Sequence, residues 1–371
     1  MHLPPARERL AFLDAYRGLA ALAVALLYHF EHFSGTFQPG ALPFAAAPGY
    51  GWPLLSLAYE KGFLAVDFFF IISGCVFQHV YGEAVAKGAV DARTFFVHRV
   101  SRLYPVHLVT LLATLVLMTA FHALTGRFPL HQHNNDLYHL GLNLLFLQKG
   151  FFDAGMSFNA PSWSLSVEAF LYLVFFVLIV RRAPLLAFAA LALLGLAMGR
   201  LQLHHTFLLN VEIGRGLFGF CWGVILAQWL ATPRGPMLAA LAAASMLAGV
   251  SVLGRLLHIG VTDLQAASLF TLLIAAPFVL PPLRHALERP ALVWLGDRSL
   301  AVYLVHLPVQ MAILLALVAL GLPIPVDKPW FMALYAALIL TAAGILHTRL
   351  ERPAQSWLRS ALKGRRAVAV A

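Results

Sequence analysis

The first strongly apolar stretch of the chain, LDAYRGLAALAVALLYHF from Leu13 to Phe30, carries Asp14, Arg17 and His29. A charge at the centre of a bilayer costs roughly 2.5–3.5 kcal/mol on insertion scales, so such residues face a bundle interior and act there. Groups of the same kind recur in later apolar stretches: Asp67, Glu168 with Ser164 four residues before it, Glu212 with Arg215, and His306. Counting depth at about 1.5 Å per residue places His29, Asp67, Glu168, Glu212 and His306 in one layer of the outer membrane half. Asp14, Arg17, Arg99, Arg102, Asp297 and Arg298 form a second layer at the inner boundary. Imidazole and carboxylates at one depth suit acid–base chemistry. Guanidinium groups at the other can hold an anion.

The elements that position these residues follow from composition. Of 371 residues, 61% are hydrophobic and 11% charged, and mean hydropathy is +0.80. That is the signature of an all-α, polytopic membrane helix bundle. Ten spans are predicted, near 12–33, 61–82, 103–125, 163–182, 184–200, 207–230, 236–257, 262–282, 292–318 and 331–350. Most of the 26 Lys and Arg, including Arg99, Arg102 and the basic tail after Leu350, fall on one side of these spans. By the positive-inside rule both termini are then cytoplasmic. The net charge of +10 reads as this topology rather than as nucleic-acid binding, since no basic, aromatic-interleaved soluble module is present. The first span is expected to be retained rather than cleaved, because charge interrupts its apolar run. Residues 1–371 read as one integral membrane domain with no fused soluble domain.

Other features have plain structural readings. Cys75 and Cys221 lie inside spans and are packing residues. Residues 139–148 are too short to cross and are expected to be re-entrant or interfacial. Glu212 and Arg215 are expected to pair, Asp297–Arg298 to mark a helix start, and Phe68 to Phe70 to pack. His131, His133, His204 and His205 read as solvated loop histidines, and no metal is expected. Arg17 and His29 are twelve apart, which puts them about 120° round an ideal helix. A π-bulge would bring them onto one face.

Six motifs, in order along the whole chain, resemble the acyltransferase-3 family of integral membrane O-acyltransferases. They are LDAYRGLAAL…YH at 13–29, GFLAVDFFFIISG at 62–74, FFVHRVSRLYP at 95–105, WSLSVEAFLY at 163–172, LGDRSLAVYLVHLPV at 295–309 and LERP at 350–353. In the family ten residues separate the first-helix Arg and His; here eleven do. Ala169 stands where the family usually carries a second acid. The resemblance implies transfer of an acetyl or other short acyl group from cytoplasmic acetyl-CoA to a hydroxyl of a glycan or glycolipid. It also implies a multi-pass protein of the bacterial cytoplasmic (inner) membrane. On this reading Arg17, Arg99 and Arg102 serve the coenzyme A phosphates. His29 is the general base, Asp67 fixes its tautomer, and Glu168 completes the catalytic set. Asp14, Ser164 and His306 are secondary candidates. A proton-coupled transporter or flippase is the competing reading, since buried ionisable residues in a polytopic bundle would serve it too.

Overall fold

The computed structural model describes residues 9–33, 53–129, 134–150, 152, 155–203, 207–257 and 262–368. These residues are helical with no strand among them. Nine of the described helices are long and apolar enough to cross a membrane: Ala11–Phe30, Leu64–Ala86, Ala92–Thr125, Ala160–Val180, Val211–Leu230, Gly235–Leu257, Thr262–Val279, Ser299–Ala319 and Pro329–Ser360. The remaining expected span, 184–200, is a helix of 16 residues, Leu185–Arg200. It rises about 24 Å, short of a hydrocarbon layer of about 30 Å.

Three boundaries differ from expectation, each for a local reason. The helix expected at 103–125 begins at Ala92 and runs 34 residues, because RTFFVHRVS carries no breaker and Pro105 interrupts hydrogen bonding without ending the helix. Arg99 and Arg102 therefore lie within this helix rather than at its start. The span expected at 292–318 is two helices, Pro290–Asp297 and Ser299–Ala319. Arg298, between them, has left helical geometry at φ −103°, ψ 3°. The apolar segment expected at 139–148 starts earlier, as the short helix Leu137–Leu144, capped by the Asp136 carboxylate, which accepts from the His139 amide at 2.8 Å.

The described residues group into two compact units. Unit 1 comprises the chain to Ala20, Leu64–Asp91 and Glu168–Asp297. Its core joins α1 (Ala11–Leu26), α3 (Leu64–Phe77), α9 (Val211–Leu230) and α11 (Thr262–Val279) through Phe12, Phe68, Ile71, Leu226 and Ile274. Here α3 and α9 approach backbone to backbone. A Cβ on Gly74 or Gly223 would run into the carbonyls of Phe220 and Ile71, the small-residue contact that membrane helices favour. Cys75, fully enclosed, donates to the Gly223 carbonyl. Both cysteines are free and buried, as packing residues should be.

Unit 2 comprises Ala21–Phe63, Ala92–Val167 and the chain from Arg298. Its long elements are α5 (Ala92–Thr125), α14 (Ser299–Ala319), α15 (Pro329–Leu346) and α16 (Arg352–Val368), and its shorter ones include α2 (Pro53–Lys61) and α6 (Leu137–Leu144). In this unit α14 packs on both α5 and α15, and α16 packs on α5.

Candidate active site

The end of α1 is where unit 2 acquires its chemistry. After Leu26 the residues YHFEHF have low helix propensity, and Tyr28–Phe33 winds as a 3₁₀ helix. In that winding side chains at i and i+3 eclipse, so the six residues fall into three rows, one of them phenylalanines and one histidines. Phe30 and Phe33, both buried, sit against each other, and Phe33 meets Phe331 and Tyr335 of α15 at ring distances of 4.9 and 5.0 Å. That apolar row anchors the turn. The histidine row is His29 and His32, stacked at 5.1 Å.

The His29 row meets α14. His29 Nδ1 and His306 Nε2 are 2.7 Å apart, and the rings stack at 5.0 Å. One hydrogen shared along this line joins two neutral imidazoles, leaving His29 Nε2 as the nitrogen for an outside group. Gln310, four residues past His306, donates from Nε2 to the His29 carbonyl at 3.0 Å. Tyr303, His306 and Gln310 share one face of α14, being three and four apart. The Tyr303 hydroxyl donates to the Pro161 carbonyl at 2.8 Å and accepts from Ser164 at 3.2 Å.

Pro308 explains why this part of α14 can host so many side-chain bonds. Proline lacks the N–H that would serve the Leu304 carbonyl, and Asn159 Nδ2 takes its place at 3.0 Å. The His306 carbonyl accepts from the Tyr335 hydroxyl at 3.2 Å. His306, Gln310 and Asn159 are wholly buried. Their remaining polar atoms, His306 Nδ1, Gln310 Oε1 and Asn159 Oδ1, have no hydrogen-bond partner among the described residues. His32, just past the span, is pushed down to about 4 by burial.

The winding here tightens where a π-bulge was expected. A 3₁₀ turn advances about 120° per residue against 100° in an α-helix, so it turns His29 further from the face of Arg17. The described π turns lie elsewhere, at Gln78–Gly82 and His347–Glu351.

In unit 1 the expected residues are held as ion pairs. Asp67 receives a two-pronged contact from Arg215, Nε to Oδ1 at 2.9 Å and Nη2 to Oδ2 at 2.7 Å. The tautomer-fixing role expected of Asp67 thus has another occupant: the group on His29 is His306. The Arg215 fork thus joins α9 to α3 through Asp67, a partner on another helix to which sequence spacing did not point. Glu168 accepts from Ser73 at 3.0 Å. Asp14 pairs with Arg9 at 2.7 Å, and Arg9 also reaches Asp297. The pairing follows from Gly18 and Gly296, which bring α1 against α13 (Pro290–Asp297), so that the LDAYRG and LGD motifs touch. Arg17 is half-buried on the same helix as Asp14.

Arg99 is buried and Arg102 half-buried on α5 of unit 2. His98 lies within charge range of both Arg99 and Arg359. Arg359 of α16 was missed by sequence reasoning, as were Gln310, Tyr303 and Asn159. The signal for Arg359 was the LERP motif upstream. Its Glu351 is buried between His347 Nδ1 at 2.9 Å and Gln355 at 3.0 Å, and Gln355 in turn accepts from Arg359 at 3.3 Å. For Gln310 the signal was its four-residue spacing from His306; Asn159 had none. Among the described residues no group of three or more His, Cys, Asp or Glu is arranged to hold a metal ion. His131, His133, His204 and His205 lie outside the described residues.

Comparison with known proteins identifies the class. A family model describing an acyltransferase domain matches residues 10–348. The chain belongs to this acyltransferase-3 family. It is 29% identical over 384 aligned residues to the acyltransferase MdmB of Streptomyces mycarofaciens, covering 95% of this chain and 93% of that protein. It is 30% identical over 178 residues to protein 2 in the picA locus of Rhizobium radiobacter, covering 44% of this chain and 78% of that protein. No solved structure matches. The protein is a multi-pass membrane acyltransferase.

Proposed function

We propose that the protein transfers a short acyl group, acetyl in the simplest case, from acyl-CoA on the cytoplasmic side to a hydroxyl of a glycan or glycolipid. The inner membrane of a bacterium is the setting this reading requires. The observation that carries it is the 2.7 Å contact between His29 Nδ1 and His306 Nε2. An imidazole oriented through one nitrogen offers the other as a general base.

In this reading His29 Nε2 takes the proton of the acceptor hydroxyl as its oxygen attacks the thioester carbonyl. The tetrahedral intermediate collapses, the C–S bond breaks, and the thiolate of coenzyme A leaves with the proton returned by the imidazolium. Direct transfer of this kind is preferred to an acyl-His relay, because it uses His29 with its neighbours as they stand. His306 is a positioning residue acting through His29. Arg99 and Arg102 pair the phosphates of coenzyme A, and Arg17 is a further phosphate-binding candidate. Asp67 and Glu168 act within their own unit, Asp67 joining α3 to α9 and Glu168 accepting from Ser73 of α3. The whole chain acts as one membrane domain.

The test is transfer or hydrolysis of radiolabelled acetyl-CoA by purified protein in detergent, wild type beside His29→Ala, with folding checked by size exclusion. Label loss that requires His29 is expected. A wild type that neither binds nor turns over acetyl-CoA with a panel of glycans would overturn the donor assignment.

A further inference from the structure

Unit 1 contains a crevice of about 330 Å³ between α8 (Leu185–Arg200), α9, α10 (Gly235–Leu257) and α11. Within the unit α8 packs closely on α9 and α10 on α11; the crevice runs where the two pairs meet. Its floor is small and buried, made by Ala192, Ala239, Ala243 and Ala267. Its mouth is lined by Leu193 and Met246, 67% and 43% exposed. Both lie near the middle of their helices, so the mouth opens sideways at the depth of the hydrocarbon rather than at either membrane face.

The wall offers nothing to a polar ligand. The Trp222 indole N–H donates to Thr271 Oγ1 at 2.8 Å, and that hydroxyl donates to the Ala267 carbonyl at 2.7 Å. An apolar cavity of this kind does not hold water, and left unfilled its lining loses dispersion contacts. The space accommodates roughly ten groups of about 30 Å³ each, the liquid volume of a water. A helix about 10 Å across would fit less than one turn into it. A single hydrocarbon chain entering from the side suits both the volume and the mouth.

We propose that this crevice binds one acyl chain of a bilayer phospholipid, which joins the α8–α9 pair to the α10–α11 pair. The short α8 is then held against the bundle by lipid as well as by α9.

The test uses the full-length protein, purified from membranes through detergent exchange and weighed intact by native mass spectrometry. The wild type is expected to retain one phospholipid per chain, and Ala243→Phe, which fills the floor, to lose that mass. Ala192→Leu is a milder filling should the first variant fail to fold, and is expected to act in the same direction. In vesicles of brominated-chain phosphatidylcholine, quenching of Trp222 and Trp229, isolated by their Phe variants, should fall in the filled variants. A wild type without the lipid mass, equal retention by a filled variant that folds, or an added mass equal to a second copy of the chain would overturn the proposal.

Discussion

The two units hold their polar groups in opposite ways. In unit 1 opposite charges cancel: Asp67 with Arg215, and Asp14 and Asp297 with Arg9. Around His29 in unit 2 the groups are neutral, imidazole on imidazole and amides on carbonyls, with acceptor atoms left over at Gln310 and Asn159. A matched ion pair in low dielectric is locked, because moving either proton or charge exposes the other. A histidine pair whose outer nitrogens are uncommitted can exchange a proton. On the proposed reading, the difference separates the part that fixes helices from the part that reacts.

The sharpest way to break the comparison is His29→Ala. Acyl transfer should fall about a thousandfold, in line with loss of a general base, while thermal unfolding in detergent stays near wild type. Asp67→Asn should do the reverse, costing about 3 kcal/mol of stability by stranding Arg215. Pairing it with Arg215→Met should recover much of that loss, as a double-mutant cycle on unfolding would record. If Asp67→Asn abolished transfer at unchanged stability, the division between the units would fail.

His306→Phe should lower transfer by about a hundredfold or less by releasing His29 from its orientation, and His306→Gln should restore part of it. The pH–rate profile should move with the variant, which a loss of packing alone would not produce. A smaller effect is expected from acid. His32 is held neutral in the fold, down to about 4, so the unfolded chain binds its proton more readily. Stability should therefore decline as pH falls from the ordinary histidine range towards 4. His32→Gln should flatten that decline in melting curves. Least of all, Arg9→Ala should cost under about 1 kcal/mol, since Arg9 is more than half exposed and such pairs are screened.

The spans were legible because a run of about 20 apolar residues has few alternatives in a bilayer. The motif histidines and acids stood out because ionisable groups are costly there. What sequence alone determined was therefore the membrane-spanning helical class, the family resemblance and the residues able to do chemistry. Partners were another matter. Asp67 was expected beside His29, and only the packing of α3 on α9 put it on the Arg215 guanidinium. His306 came to His29 because YHFEHF tightened into a 3₁₀ turn anchored by Phe30 and Phe33, and because Pro308 opened α14 to side-chain donors. A residue's type is local and carries its chemical capacity into any fold. Its partner is set by which faces meet across hundreds of residues, and that the tertiary structure alone decided.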